Sequence, residues 1–273
     1  MLYKYLPSKR VDVLENLKIR FSPLPSLNDP FEHLPLIEMG KAKEDLISEV
    51  IEGLDELWSN TDDSEKTEEN RKLLEQAKID LLHGIDEETS AYAVGQKLMS
   101  LLGDNFGVLS LSRTETSLLM WSHYAEAGKG IVLGFNDEHI FFRQKDMNGN
   151  STRPIPVVYT TKRRRIVPGE ERYYEKLLCE KPLEWAYEEE ERVFGTFLSK
   201  EEAIGKDEYG QDVVLSGLPK ETIRSVYLGY NVSKETEQRV YKAINRNEIG
   251  CNLYRSYLCQ EEYRVKFELV KRP

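Results

Sequence analysis

The chain has 273 residues and a formal net charge of −10, from 48 acidic against 38 basic side chains. With 40% hydrophobic and 32% charged residues it can bury a substantial core as one large domain, and its acidic balance argues against a general nucleic-acid coat. No run approaches the ~18 apolar residues of a membrane span, and Cys179, Cys251 and Cys259 lack any C-x-x-C spacing, so neither membrane, disulfide framework nor zinc ribbon is expected. A cytoplasmic address with reduced thiols follows as an expectation.

In chain order, Leu2, Tyr3, Lys4, Tyr5 and Leu6 read as a short strand. Val11, Val13, Leu14 and Leu17 then mark a helix, residues 19–22 an extended run, and the Pro-rich stretch up to Glu32 a turn region. Between about 39 and 103 the pattern becomes helical. Leu46, Ile47, Val50, Ile51, Leu54, Leu57 and Trp58 form one broad apolar stripe. An acidic stretch at 61–70 precedes a second helix carrying Leu73, Leu74, Ala77 and Leu81. A third, with Ala91, Val94, Leu98, Leu101 and Leu102, ends at Gly103. Strand signals stand on both sides, so 39–103 is expected to be a helical insertion within a single domain spanning 1–273. A lid, a protein-partner surface and plain bulk all remain open for it.

Residues 106–135, FGVLSLSRTETSLLMWSHYAEAGKGIVLGF, read as strand, turn, helix and strand. Val108, Leu109 and Leu111 alternate with the hydroxyls of Ser110 and Ser112. Leu118, Leu119, Trp121 and Tyr124 then follow helical spacing, and Gly128 and Gly130 bracket the stop. A strand-to-helix mouth holding Ser110, Ser112, Arg113, Trp121 and Tyr124 is a candidate ligand pocket. Further strands are expected at 156–159, 192–197 and 223–228, a helix capped by Ser233 through about Arg246, and an alternating strand over 263–269. The fold class is therefore α+β. The basic run Lys162, Arg163, Arg164 and Arg165 reads either as a solvated turn or as a phosphate contact.

Three constellations carry candidate chemistry. In the first, Asn28 and Asp29 precede Pro30, a strong turn signal; the loop either fixes its own shape or presents Asn28, Asp29 and Glu32 to a ligand, with Arg20 as an anion contact. In the second, His123 beside Tyr124 is either a core-edge histidine or a proton carrier near neutral pH. In the third, WAYEEEER at 185–192, a strand would put Glu188, Glu190 and Arg192 on one face, whereas a helix would make an ordinary surface ladder. The strand is favoured because RVFGTF follows. Two carboxylates lined up beside a guanidinium form either a structural ion-pair cluster or a catalytic base. The histidines at 33, 83, 123 and 139 lack ligand spacing, so no metal is expected. No phosphate-binding loop, G-x-G-x-x-G or G-x-S-x-G is present.

In that order, the segments at 20–32, 110–135 and 185–192 resemble the bacterial domain-of-unknown-function family 2971. Its members show F-S-x-P leading to N-D-P-F-[DE], then W-x-x-Y-A-x-x-x-x-G, then W-x-x-E-x-E-x-R. Similar proteins are found in some bacterial genomic islands and are suspected of roles in phage defence, so the resemblance implies a phage-defence or toxin-type effector role as an expectation for this chain. More distantly, the order of elements is similar to the split mixed sheet of the ADP-ribosyltransferase core. That resemblance implies NAD or another small nucleotide as substrate, with ADP-ribosyl transfer or NAD glycohydrolysis as the reaction. Carried across, Lys4 or Tyr5 would hold the nicotinamide riboside together with Ser110 or Ser112, and Glu188 or Glu190 would stabilise the transition state. Lys4 stands where that group has His or Arg. Two other readings stay open: a non-enzymatic ligand-binding or protein-interaction module, and a metal-dependent nuclease using Asp29, Glu32, Glu188 and Glu190.

Overall fold

The computed structural model describes residues 1–37, 43–61, 66–83, 95–96, 99, 106–145, 151–152, 154–167, 173–196 and 203–270. Its main sheet is built from β1 (Leu2–Leu6), β2 (Ser22–Pro23), β3 (Phe106–Ser112), β4 (Ile131–Phe135), β5 (Ile155–Pro156), β6 (Glu190–Thr196), β7 (Ile223–Leu228), β8 (Asn252–Leu258) and β9 (Val265–Leu269). The helices are α1 (Asp12–Asn16), α2 (Lys43–Asn60), α3 (Glu68–His83), α4 (Leu118–His123), α5 (Tyr173–Leu178) and α6 (Lys234–Arg246). The chain is α+β, as its alternating patterns predict.

The sheet order is β9-β8-β7-β4-β1-β3-β6-β5, with β2 paired to β3. β4, the IVLGF run, is buried at all five positions because it lies between β1 and β7. Only β7 and β8 pair in parallel among these neighbours, and a parallel return requires a crossover, which α6 provides. Ser233 caps α6 by accepting the Thr236 N–H at 3.1 Å. Val240, Ala243 and Ile244 of α6 pack with Val13 and Leu14 against one sheet face.

Strand alternation divides the two faces. Leu2, Leu6, Leu109, Leu111, Ile131, Leu133 and Val193 point into that large core. Tyr5 and Val132 instead meet Met120, Trp121 and Ala125 on the other face. Ser110 and Ser112, and Glu190 and Arg192, occupy the alternate positions of β3 and β6, and they are cross-strand partners, with Glu190 opposite Ser112 and Arg192 opposite Ser110. These four polar side chains are thus gathered at one corner of the sheet.

Within the expected insertion, α2 and α3 are helices. Val50 and Leu54 of α2 pack with Leu24, Ile37, Val108 and Leu177, so its stripe rests against the sheet's second face. The third expected helix lies outside the described residues except for 95, 96 and 99.

Two expectations need correction. The extended run at 156–159 is split: β5 joins β6, whereas Val158–Thr160 pairs in parallel with Glu180–Pro182. The strand through Glu188 is not formed either. Leu183–Glu188 is a 3-10 turn, Glu189 adopts left-handed φ 44° and ψ 50°, and the strand begins only at Glu190. A left-handed residue reverses the chain direction, which strand periodicity cannot foresee.

Candidate functional site

β1 makes five register pairs with β4 but only one, Tyr3 opposite Ser112, with β3. The sheet opens at that junction, and a cleft of about 180 Å³ lies there. Tyr3, Lys4 and Tyr5 line it from β1, Ser110 and Ser112 from β3, Ser22 from β2 and Ser26 and Asn28 from the loop after it, Met120 from α4 and Tyr124 from its C-terminal cap, and Lys181, Glu188 and Glu190 from the segment before and into β6.

The cleft floor is a buried ion cluster. Lys181 Nζ lies 2.8 Å from Glu188 Oε2, 2.9 Å from Glu190 Oε2 and 3.8 Å from Glu32 Oε1. Arg192 donates to Glu190 through Nε at 2.9 Å, to Glu32 through Nη2, and to the Leu178 carbonyl through Nη1. All five side chains are at most 7% exposed. Two cations stand between three carboxylates, and no further basic side chain pairs with them among the described residues. The 3-10 turn and the left-handed Glu189 create this geometry by swinging Glu188 back to the same lysine that Glu190 meets from β6.

Burial lifts the Glu190 carboxyl above the ordinary range, although Lys181 and a hydrogen bond from Ser110 pull the other way. For Lys181, burial disfavours the charge, but Glu190 and Glu188 outweigh it and hold the ammonium above its usual value. Burial draws the Arg192 guanidinium down to about 9, leaving it charged at neutral pH. Lys4 is drawn down to about 8, foremost by burial, with Glu190 partly restoring it. Tyr124 is raised by burial and then by Glu188, to which its hydroxyl donates.

The expected site residues divide into three groups. Asn28, Tyr124, Glu188, Glu190, Lys4, Tyr5, Ser110 and Ser112 meet at the cleft: Asn28 Nδ2 donates to the Tyr124 hydroxyl at 2.6 Å, and Lys4 Nζ to the Ser110 carbonyl at 2.8 Å. Ser112 and Tyr5 also shape the turn after β3 through the Thr114 backbone. Glu32 and Arg192 lie behind this wall as ion partners, and Arg192, expected as a ligand contact, is 1% exposed and not among the lining residues. Asp29 is 1% exposed, and its Oδ1 accepts the Phe31 N–H at 3.0 Å, which fixes the loop that presents Asn28.

The remaining residues stand outside the cleft lining. Trp121 is completely buried, with Nε1 donating to the Glu115 carbonyl at 2.7 Å and its indole 5.5 Å from the Tyr5 ring; its ligand-contact assignment is corrected to core packing. His123 is exposed, and its Nδ1 lies 3.1 Å from the Tyr187 hydroxyl. Arg20 pairs with Asp207 at 2.6 Å, and Arg113 pairs with Glu191. Lys162, Arg163, Arg164 and Arg165 are exposed, with Arg163 5.6 Å over the Phe31 ring. Lys181 is the central residue that no motif or periodicity marks; its role depends on the parallel pairing of Glu180–Pro182 with Val158–Thr160.

Three of the four carboxylates suited to a metal, Glu32, Glu188 and Glu190, are instead engaged by Lys181 and Arg192, and Asp29 is engaged by its own loop. No described helix is long and apolar enough to cross a membrane. No curated protein and no solved structure matches the chain. Residues 120–193, which hold Tyr124, Lys181, Glu188, Glu190 and Arg192, match the model of the family described as "Protein of unknown function (DUF2971)", the family that the motifs at 121–130 and 185–192 resemble.

Proposed function

We propose that the cleft is the active site of an enzyme that cleaves or transfers at the glycosidic bond of NAD or a related nucleotide. The observation that carries this reading is Glu190: a buried carboxylate that lines the cleft, fixed by Arg192 and Lys181. Breaking a ribosyl–nitrogen bond develops positive charge on the sugar, and a carboxylate already held in a low-dielectric wall stabilises that charge without reorganising. Glu188 is the second carboxylate of the pair, oriented by Lys181 and the Tyr124 hydroxyl. Met120 and the rings of Tyr3, Tyr5 and Tyr124 offer apolar and aromatic walls for a base, while Asn28, Ser22, Ser26 and Ser110 offer polar contacts to a ribose.

The test is incubation of the full chain with NAD and chromatographic analysis for free nicotinamide or a labelled acceptor. Glu190→Gln, which keeps the size but turns one acceptor oxygen into a donor facing Arg192 or Lys181, is expected to lower the rate about 100- to 1,000-fold, as removal of one preorganised charge-stabilising group does. Glu188→Gln is the comparison. If the wild-type protein binds NAD by calorimetry without turnover, the cleft is a nucleotide-binding module. If it neither binds nor turns over NAD, the reading is withdrawn.

A further inference from the structure

Four charged side chains line the cleft, and the glycosidic reading uses three of them. The fourth, Lys4, differs from Lys181 in its surroundings. Lys181 touches two carboxylates within 3 Å, whereas among the described residues no carboxylate lies within ion-pair distance of Lys4, whose amine donates to the Ser110 carbonyl at 2.8 Å. An ammonium in such a place lacks the partner that would hold its proton. A neutral amine fits better: one N–H satisfies the carbonyl, and the lone pair is free for the cleft.

We propose that Lys4 is a nucleophilic amine that forms an imine with the carbonyl group of a small aldehyde or open-chain sugar entering the cleft. The Nζ lone pair attacks the carbonyl carbon to make the C–N bond, and the C=O pair moves to oxygen, which takes a proton from water. The nitrogen gives up its first proton to solvent to leave the carbinolamine, whose hydroxyl takes a second proton from solvent and departs as water as the nitrogen lone pair forms the C=N bond; loss of the second nitrogen proton to solvent leaves the imine. Amine and carbonyl thus become imine and one water, with no oxidant or reductant required. The proposal goes beyond the glycosidic reading and does not depend on it.

The acid–base setting agrees with this role. Burial lowers the Lys4 amine to about 8, with Arg10 and Lys181 acting in the same direction and Glu190 and Glu188 against it. At pH 8 about half of Lys4 is neutral, against about 0.4% of an ordinary lysine with pKa near 10.4, roughly a hundredfold excess. Lower basicity offsets part of that excess, and an advantage of about tenfold over surface lysines is expected.

The test uses the full chain, glycolaldehyde as the carbonyl and cyanoborohydride to trap the imine, followed by peptide mass mapping. Lys4 is expected to be modified about tenfold faster than any exposed lysine at pH 8, and Lys4→Arg to abolish that fast label. A second measurement needs no variant: the labelling rate of Lys4 in the wild-type protein should rise to a plateau with a midpoint near pH 8, well below that of surface lysines. Labelling no faster at Lys4 than elsewhere, or a Lys4 midpoint near the ordinary lysine value, overturns the proposal. Because glycolaldehyde contains no glycosidic bond, failure here leaves the NAD reading standing, and failure of NAD turnover leaves this one standing.

Discussion

Replacing Lys181 by Met would keep the length of the side chain while removing the charge that separates Glu188 from Glu190. The two contacts, at 2.8 and 2.9 Å, each correspond to about 6 kcal/mol of gross attraction at an effective dielectric of 20. Desolvation of the ions offsets most of that gain, so the native pair contributes little net stability, but removing one partner leaves the other charges buried and uncompensated. The expected loss is about 3–5 kcal/mol at pH 7. Its pH dependence has a definite sign. Glu190 is already raised above its ordinary value, and loss of Lys181, which lowers it, raises it further. A carboxyl raised by folding destabilises above its folded pKa and is relieved as the pH falls through that value. Lys181→Met should therefore be most damaging at neutral pH and recover part of its deficit as the solution is acidified. Urea denaturation of wild type and variant at pH 7 and pH 5 measures both quantities. A loss below about 1 kcal/mol at pH 7, or a deficit that grows on acidification, would refute the ion-cluster reasoning. The double change Lys181→Met with Glu188→Gln should recover stability relative to Lys181→Met alone, because it removes one of the stranded charges.

Gly130→Ala should cost about 3 kcal/mol in chemical denaturation, because a Cβ there would overlap the Leu6 carbonyl oxygen and crowd the Leu6 and Pro7 backbone, none of which is a flexible side-chain end. Gly217→Ala, with nothing within 4 Å of the added carbon, is its control and should change stability by no more than about 0.5 kcal/mol. Lys4 gives a second pH signature: its folded pKa of about 8 lies below the ordinary 10.5, so the native state binds fewer protons between those values and stability rises with pH across that window. The cost is fully present below pH 8 and reaches at most about 3 kcal/mol. The difference in unfolding free energy between wild type and Lys4→Met should therefore favour the variant at pH 7 and close towards pH 10.5; a pH-independent difference would contradict this.

The elements whose signals are local were the readable ones. β3, α4 and β4 follow directly from hydrophobic spacing in 106–135, and Ser233 marks α6 through a cap that sequence alone specifies. Polar groups beside strand ends point to Asn28, His123 and Glu190 sharing one pocket; Asn28 and Glu190 do line the cleft, but the middle motif contributes Tyr124, and His123 stands outside the lining. Glu188 and Glu190 do share one lysine, but the shared strand face inferred for them does not exist, since the left-handed backbone at Glu189 brings them together instead. Trp121 shows the opposite limit: an indole beside polar groups reads as a ligand wall, yet its single N–H is satisfied by the Glu115 carbonyl, which lets it sink into the core. Lys181 was invisible because nothing within EKPLEW reports which strand Glu180–Pro182 will join.

The long separations across the cleft also set an order in time. Glu32 and Arg192 are 160 positions apart, Lys4 and Ser110 are 106 apart, and Asn28 and Tyr124 are 96 apart. During synthesis at about 5–20 residues per second, Glu32 waits roughly 8–32 s for its guanidinium partner. Throughout that interval the carboxylate is kept in water, since burying it alone would cost several kcal/mol. The loop at 20–32 can form its own Asp29-capped turn early, but it cannot seat against the sheet until β6 has arrived. The cleft is thus the last part of this half of the molecule to take shape, and a nascent chain shorter than about 192 residues would carry the β1 and loop walls without the floor.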